Sequence, residues 1–434
     1  MTNNIKKMLR IVEEDLEILS VDQKIYKKEQ TLIISSKFSP KPKACPKCGS
    51  TVKNTEGKYI IVKNGTKESN IRLENYNHMP TIMKLKKQRY TCRNCESHFT
   101  ANPKFVKKNC WIAEHVKLKI IDLLKEKISC TLIARLCGVS ITTVLRVLRS
   151  LEDYTPSMRI KAPLPKVLMV DEFRSHATYE DKMTFICADG ESGQLTDILP
   201  SRQHDKLEKH FKRYSEEELN QVQFLVTDMN AAYFKLTKTC FTNAKIVIDR
   251  FHVVKHINTA FNEFRVREVK RLKKEKQKKH AQKIKSNWKL LLKNQAHIDW
   301  SDFHTWRSFR TPIYPLLTEG MVIDRLLSYS TQLEDTYYCF HSLLNAFRSK
   351  DSHLFFYHLN HLPEHIDEEF KSKVQNLLNY EEGITNALKY PYSNGKLEAK
   401  NTHIKTLKRV SYGFKSFRNM RIRIFMINNL IQIK

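Results

Sequence analysis

Two acidic residues near the middle of the sequence follow apolar runs that are typical of buried strands. Asp171 comes directly after the apolar residues 167–170, and Asp228 comes directly after the run 223–227. Because an ionised carboxylate is unfavourable inside an apolar core, both acids are expected at a sheet edge, where water or a metal ion can reach them. The alternative for Asp171 is a simple turn cap. The repetition of the pattern at Asp228 favours a shared site.

A third acid, Glu398, lies near the start of a predicted helix that begins around residue 393. Successive spacings of four, three, four and three residues place one polar stripe along this helix. The stripe comprises Asn394, Glu398, Asn401, Lys405 and Lys408. An acid surrounded by amides and lysines is suited to complete a metal site and to hold phosphates. The alternative is an ordinary surface helix with Glu–Lys pairs.

Four of the ten cysteines form two Cys-x-x-Cys pairs, Cys45 with Cys48 and Cys92 with Cys95. Two thiolates on a tight turn fit two corners of a tetrahedron, so the pairs predict a structural Zn²⁺ in a zinc ribbon. A catalytic zinc is not expected, because protein side chains fill all four positions. A disulfide framework is disfavoured, since the sequence shows no secretory signal. Glycine follows the first pair, whereas Glu96 follows the second.

Residues 129–148 have the layout of a helix-turn-helix. Gly138 would make the turn, and Ser140 would cap the second helix. The residues expected to face the major groove of DNA are Thr142, Thr143 and Arg146. The alternative is an ordinary helical hairpin, but the charge of the chain and the neighbouring zinc ribbon favour DNA binding.

The charge of the chain indicates a polyanionic partner. The sequence has 76 Lys+Arg against 46 Asp+Glu, a formal net charge of +30. Such an excess repels itself in a compact fold and is typical of proteins that bind nucleic acid. No run of 18 apolar residues occurs and no apolar signal segment is evident near Met1. We therefore expect a cytoplasmic protein without a membrane partner.

The predicted order of elements across residues 164–260 is β-β-β-α-β-α-β, which describes an α/β fold with a ribonuclease-H-like mixed sheet. In that fold the first and fourth strands are neighbours, so Asp171 and Asp228 would come together. The remaining expected parts are an N-terminal helix (over 5–19) and linker in 1–40, the zinc ribbon in 41–105, the helix-turn-helix in 106–155, a basic all-helical insertion in 261–385, and the C-terminal helices of the catalytic core in 386–434.

With these motifs the chain resembles insertion-sequence transposases of the Asp-Asp-Glu class, and within that class the ISL3 family. The matching motifs follow the family's order over nearly the whole chain, and only Glu96 departs from the pattern. They are the two cysteine pairs, the helix-turn-helix, Val170-Asp171-Glu172-Phe173, Thr227-Asp228-Met229, Asp249-Arg250-Phe251-His252, the stretch 393–405 and Tyr412-Gly413-Phe414.

The resemblance implies that Asp171, Asp228 and Glu398 form a catalytic triad that binds two Mg²⁺ (or Mn²⁺) ions. We expect Asp171 to bridge both ions, Asp228 to bind one and Glu398 to bind the other. The implied reaction is hydrolytic release of 3′-hydroxyl ends, followed by strand transfer without a covalent enzyme intermediate. The implied partners are terminal inverted repeats and target DNA, bound by a homodimer or larger synaptic assembly associated with the bacterial nucleoid.

The polar stripe of the helix that begins around residue 393 also predicts DNA contacts, by Asn394, Asn401, Lys405 and Lys408. Two other classes of function stay open. A non-catalytic DNA-binding regulator derived from a transposase would bind DNA without metal-dependent nicking, and a ribonuclease-H-like nuclease would cut DNA without strand transfer. The complete set of acids argues against the regulator, and the resemblance argues against the nuclease. Glu172 is not a predicted ligand, because neighbouring residues of a strand point to opposite faces.

Overall fold

The computed structural model describes residues 2–156, 161–175 and 181–431 of the 434-residue chain. It is a mixed α/β protein with two mixed sheets and many helices. The chain forms two compact units, of which the first contains Met1–Ser157 and His403–Lys434 and the second contains Met158–Thr402. Both ends of the chain therefore belong to the same unit.

The elements of the described residues are numbered in chain order. The strands are β1 (Leu16–Tyr26), β2 (Glu29–Phe38), β3 (Ile61–Arg72), β4 (Thr81–Cys92), β5 (His98–Thr100), β6 (Val167–Arg174), β7 (Met183–Asp189), β8 (Leu195–Leu199), β9 (Phe224–Thr227) and β10 (Lys245–Ile248). The helices are α1 (Thr2–Met8), α2 (Glu114–Leu124), α3 (Cys130–Leu136), α4 (Ile141–Arg149), α5 (His204–Phe211), α6 (Glu216–Asn220), α7 (Ala231–Cys240), α8 (Arg250–Lys274), α9 (Lys278–Ser286), α10 (Trp288–Leu291), α11 (Glu319–Leu327), α12 (Thr331–Arg348), α13 (Ser352–Asn360), α14 (Glu368–Gln375), α15 (Glu381–Lys389), α16 (Gly395–Val410) and α17 (Phe417–Ile427).

The sheet of the first unit begins in a segment that the sequence predicted to be helical. Its strand order is β1-β2-β4-β3, with β5 beside β4. The prediction of a helix over 5–19 and a linker up to residue 40 was wrong, because helix α1 ends at Met8 and β1 and β2 form an antiparallel hairpin. Leu16 and Ile18 are buried with the two-residue period of a strand. Lys27 and Lys28 turn the hairpin in the left-handed region, at φ 51° and 71°.

Helices α2, α3, α4 and α17 form a helical layer in the first unit. Ser129 caps α3 and Ser140 caps α4, and each side chain accepts a backbone N–H of the third residue that follows it. The chain bends by 110° between α3 and α4. Helix α17 packs against α2 and α4, and its buried Arg423 donates to the carbonyl oxygens of residues 126 and 128 at 2.7 and 2.8 Å. The C-terminal helix thus joins this layer, whereas the sequence interpretation placed it in the catalytic core.

The sheet of the second unit has the strand order β8-β7-β6-β9-β10. Strands β6, β7 and β8 are antiparallel, whereas β9 and β10 run parallel to β6. The strand expected first and the strand expected fourth, β6 and β9, are indeed neighbours. On β6, strand β9 pairs with residues 167–169, although β6 continues to Arg174 beside β7. Among the described strands, none pairs with β6 beyond residue 169 on the β9 side.

Two hydrophobic cores support this unit. One lies between the sheet and the helices around α5 and α7, with Phe185, Phe211 and Tyr233 fully buried in it. The other joins the helices from α8 to α15, where Phe261 stacks on Phe340 at 4.3 Å between ring centres. Among the described residues no individual helix is long and apolar enough to cross a membrane. One sharply bent pair, α3 with the segment Ile141–Tyr154, reaches that length and apolar content only when its two parts are counted together.

Candidate active site and zinc site

The first two predicted acids, Asp171 and Asp228, lie where the pairing between β6 and β9 ends. Asp171 lies on β6 just beyond the last residue that pairs with β9, and Asp228 directly follows β9. Both side chains are half-buried. The pKa of Asp171 is raised to about 6, mainly by burial and also by the negative charge of Asp228, although hydrogen bonds from the backbone of Glu172 and from Asn401 act to lower it. Burial also raises the pKa of Asp228. Two partly dehydrated carboxylates that repel each other favour a cation between them.

Two asparagines fasten helix α16 to strand β6. The Nδ2 of Asn401 donates to Oδ2 of Asp171 at 2.7 Å, and the Nδ2 of Asn394 donates to the carbonyl oxygen of Val170 at 3.1 Å. Their exposed fractions are only 3% for Asn394 and 5% for Asn401. The DNA contacts expected for these two residues do not fit this burial. In the structure they position the helix that carries Glu398.

Glu398 lies in the first turn of α16 and meets two residues for which the sequence predicted no role as metal ligands. Its carboxylate, the carboxylate of Asp249 and the imidazole of His252 have ligand atoms within 4.8 Å of one another. His252 Nε2 is 3.6 Å from Glu398 Oε1. His252 also acts on Asp228, whose pKa its charge lowers against the larger effect of burial. Glu398 is thereby linked to Asp228 through His252.

Asp249, which belongs to the Asp249–His252 motif quoted above, carries the same signal in the sequence as Asp171 and Asp228, although no role in the site was predicted for it. It directly follows β10, a third short apolar strand that ends in an acid. The carboxylate is buried and accepts the backbone N–H of Asn394 at 3.4 Å. His252 lies one turn further on, in the first turn of α8. The two residues therefore come from the same strand-to-helix junction.

The polar atoms around the acids fit a hard divalent cation. The Oδ1 atoms of Asn394 and Asn401 are buried, and neither has a hydrogen-bond partner in the part of the chain that the structure describes. A buried acceptor without a partner is costly, by about 1–3 kcal/mol. Carboxylate and amide oxygens are the ligands that Mg²⁺ prefers. The donor set next to Asp171 is therefore suited to Mg²⁺ or its close relative Mn²⁺.

Glu172 points away from this site, as its position in the strand predicted. Its carboxylate forms an ion pair with Arg202 and accepts the hydroxyl of Tyr233 at 3.2 Å. Asn230 donates to the same carboxylate at 3.4 Å. These partners hold the Glu172 side chain on the face of the sheet that packs against α7. The negative charge of Glu172 nevertheless affects Asp228, because it adds to the rise in the pKa of Asp228 that burial causes.

The four paired cysteines converge on one point of the first unit. Cys45 Sγ is 3.7 Å from Cys95 Sγ, and Cys48 Sγ is 3.7 Å from Cys92 Sγ. Zinc–sulfur bonds of about 2.3 Å in a tetrahedron place sulfur atoms about 3.8 Å apart, so the cluster fits a structural Zn²⁺. The hydroxyl of Ser97 lowers the pKa of Cys45, which favours the thiolate that binds metal.

The second cysteine turn has the same backbone shape as the first despite its different sequence. Gly49 has φ 74° and Glu96 has φ 54°, both in the left-handed region. The departure noted at Glu96 therefore leaves the turn geometry intact. It does place a side chain in a conformation that only glycine adopts without strain.

The residues of the first unit that are predicted to contact DNA differ in how exposed their side chains are. Thr142 and Arg146 are exposed on α4. The Thr143 hydroxyl lies 3.0 Å from the hydroxyl of Ser140, so it takes part in the cap of α4. On α16, Lys405 is exposed and Lys408 is half-buried.

Comparison with known proteins assigns the chain to a class and then to a family. Residues 168–424, more than half of the chain, match a family model described as "Transposase" of the ISL3 type. Residues 41–95 match a model described as "zinc-finger of transposase IS204/IS1001/IS1096/IS1165". The chain belongs to the ISL3 family of transposases. The resemblance inferred from the motifs is confirmed, and so is the zinc ribbon.

Two curated relatives cover parts of the chain. The "Transposase for insertion sequence element IS1001" of Bordetella parapertussis is 23% identical over 261 residues, which is 57% of each protein. A Lactococcus lactis subsp. lactis protein named "ATP-dependent protease" is 37% identical over 110 residues, which is 25% of this chain and 35% of that protein. The matches thus span well under two thirds of the length of either relative.

Proposed function

We propose that this protein is the DNA transposase of a bacterial insertion sequence. It would bind terminal inverted repeats, cleave DNA at the element's ends and join those ends to target DNA. The observation that carries the proposal is the proximity of two acids at neighbouring parallel strands, with helix α16 held beside them. Asp171 lies on β6 and Asp228 directly follows β9, and Asn401 of α16, the helix that carries Glu398, donates to Asp171. The strand order supports a ribonuclease-H-like catalytic fold.

In this proposal Asp171, Asp228 and Glu398 hold two Mg²⁺ or Mn²⁺ ions. Bound there, the ions would activate a water or a 3′-hydroxyl and neutralise charge that develops on the phosphate. The protein's own part is to hold the acids in place. Asn401 fixes the carboxylate of Asp171, and Arg202 keeps Glu172 on the other face of the sheet. His252 Nε2 lies 3.6 Å from Glu398 Oε1 and, when protonated, would attract the third acid.

The reaction itself is proposed as two displacements at phosphorus. In the first, a water oxygen bonds to phosphorus and the bond to the 3′ oxygen breaks, which releases a 3′-hydroxyl. In the second, that hydroxyl oxygen attacks a phosphodiester of the target, whose own 3′ oxygen leaves. Neither displacement needs a nucleophile from the protein, which agrees with a site composed of carboxylates and amides.

DNA would be recognised mainly by the first unit. Its α3 and α4 have the bend and the caps of a helix-turn-helix, which supports major-groove contacts by Thr142, Thr143 and Arg146. Lys405 and Lys408 would bind phosphates, as the net charge of +30 also suggests. A homodimer or larger synaptic assembly on DNA, and a location at the bacterial nucleoid in the cytoplasm, remain parts of the same proposal.

Cleavage of labelled terminal inverted repeats by Glu398→Gln tests the triad. We expect the loss of a metal-binding charge to lower Mg²⁺-dependent cleavage on the order of 100-fold or more, while DNA affinity stays unchanged. Glu263→Gln is a matched control, because its side chain is 45% exposed against 42% for Glu398 and it also pairs with a basic residue. Full Mg²⁺-dependent activity of Glu398→Gln would refute the assignment of Glu398 to the triad. DNA binding by the parent protein without any cleavage would favour the regulator instead.

A further inference from the structure

A groove on the zinc ribbon has no role in the site described above. It lies beside strands β3 and β4 and has a volume of about 1110 Å³. Its lining includes Ile61 and Tyr90, which are both buried, together with Pro40 and Pro42. Tyr90 donates its hydroxyl to the carbonyl oxygen of Pro40 and stacks on a neighbouring ring, so the floor is fixed in place. We call this feature the ribbon groove.

The rim of the ribbon groove is strongly basic. Five cationic side chains line it and no acidic residue does; the five are Lys41, Lys53, Lys58, Lys63 and Arg93. In the described part of the chain none of them forms an ion pair with a carboxylate. Elsewhere in the same unit, Lys117 and Lys119 pair with glutamates at 2.6 and 2.5 Å. Lys41, Lys58, Lys63 and Arg93 are therefore available to an anionic ligand, whereas the Nζ of Lys53 lies over an aromatic ring.

An aromatic ring stands at the wall of the ribbon groove. Tyr59 is 56% exposed, and the Nζ of Lys53 lies 4.5 Å from the centre of its ring. An exposed aromatic ring, an apolar floor and a basic rim are the features by which proteins bind single-stranded nucleic acid. Duplex DNA offers phosphates and base edges, whereas the faces of its bases are stacked on one another. The apolar floor therefore matches unpaired bases better than an intact duplex.

We propose that the ribbon groove binds unpaired nucleotides of a DNA strand, with a base stacked on Tyr59 and phosphates on the basic rim. The inference rests on the proposed function in that the partner is DNA. Within that function, the unpaired nucleotides would be those next to a cleaved end of the element. The zinc ribbon then contributes a contact to the DNA end in addition to stabilising the fold.

The test compares single-stranded and duplex DNA with the full-length, zinc-loaded protein. Fluorescence anisotropy measures both affinities. The single-stranded ligand is an oligothymidylate of about 12 nucleotides, and the double-stranded ligand is a duplex that contains the inverted repeat. Tyr59→Ala should weaken single-strand binding about 5- to 140-fold, the range expected for one lost stacking contact, with little effect on the duplex. Tyr59→Phe should keep the parent affinity, because stacking does not require the hydroxyl. Tyr357→Ala is the matched control, since Tyr357 is 57% exposed on α13.

The salt dependence of binding tests the rim. Replacing Lys41 and Lys63 together by glutamine should reduce the slope of log affinity against log salt by about 1.4, since each phosphate contact to a single strand contributes about 0.7. The zinc content of each variant, measured by metal analysis, shows whether its ribbon has folded. A slope equal to that of the parent in a zinc-loaded variant would contradict the proposed role of these lysines.

The outcomes separate this inference from the proposed function. If Tyr59→Ala keeps the parent's single-strand affinity, the inference is overturned while duplex binding leaves the proposed function standing. If the variant weakens both DNA forms equally, the groove binds the backbone of a duplex and the inference is again overturned. If the parent binds neither DNA form, both the inference and the proposed function fail.

Discussion

Neutralising Asp171 should stabilise the metal-free protein while it removes the proposed activity. The carboxylate is half-buried, and burial raises its pKa to about 6, with smaller contributions from the charges of Asp228 and Glu172. The ionised form is therefore disfavoured in the folded state. The substitution Asp171→Asn keeps the size of the side chain and removes its charge. The donor that the asparagine introduces would face Asn401, whose unpartnered Oδ1 can accept it after rotation of the amide.

The magnitude follows from the pKa. A rise from 3.8 to about 6 is roughly 2 units, which corresponds to about 3 kcal/mol at 1.36 kcal/mol per unit. Because the folded-state pKa lies above the unfolded-state value, the protonated carboxyl contributes stability that is fully present below pH 3.8 and is lost as pH rises through 6. Above pH 7 the variant should therefore be more stable than the parent by up to about 3 kcal/mol. Below pH 4 the two should have equal stability.

The measurement is thermal or urea unfolding of the full-length protein between pH 4 and pH 8, without added Mg²⁺. Asp189→Asn is a control of opposite sign in the same unit. Burial acts to raise the pKa of Asp189, but hydrogen bonds from the Ser192 hydroxyl and from the backbone of residues 191 and 192 outweigh it and lower the pKa. Its neutralisation should destabilise the protein above pH 4. Added Mg²⁺ should stabilise the parent and have little effect on Asp171→Asn.

Two results would refute this reasoning. If Asp171→Asn is less stable than the parent at pH 8, the buried charge is not the dominant effect at this position. If the difference between variant and parent is the same at pH 4 and pH 8, it does not arise from ionisation of Asp171.

Three further predictions concern the first unit. Glu96→Gly should stabilise the zinc ribbon by about 1 kcal/mol, since Glu96 adopts a left-handed conformation that glycine adopts without strain; an unchanged or lower melting temperature would contradict this. Ser140→Ala should destabilise the unit by about 1 kcal/mol, because the backbone N–H of Thr143 loses its acceptor at the start of α4; urea unfolding measures it, and no change in the midpoint would count against the cap. Cys92→Ser should remove the bound zinc, so metal analysis should find it in the parent and not in the variant; equal zinc in both would exclude the four-cysteine site.

The positions of the first two acids could be predicted because the relevant signals are local. A short apolar run that ends in an acid predicts a buried strand with a carboxylate at its end, and this pattern identified Asp171 and Asp228. The order of elements then predicted that β6 and β9 are neighbours, which the structure confirms. Asp249 follows the same local pattern on β10. The spacing of the cysteines likewise predicted the cluster that the four sulfur atoms form.

The predictions that failed concern features that are decided by contacts between residues far apart in the sequence. Leu16 fits the period of a helix and that of a strand equally, and only pairing of β1 with β2 decides between them. The stripe on α16 indicated that Asn394 and Asn401 share a face, but periodicity does not say whether that face meets DNA or strand β6. Likewise nothing within residues 417–427 shows that α17 packs on α2 and α4. This packing involves the carbonyl oxygens of residues 126 and 128, which accept hydrogen bonds from Arg423 and lie almost 300 residues earlier in the chain.

The position of α17 has a consequence for the order in which a ribosome delivers the parts of the protein. Helix α4 is complete at Arg149, and α17 begins 268 residues later at Phe417. At about 5–20 residues per second this interval lasts about 13–54 s. During it the apolar surface that later receives Ile422 and Phe425 has no partner from its own chain. The nascent protein is therefore expected to need chaperone protection at this surface, and a product terminated before residue 417 would never complete the helical layer.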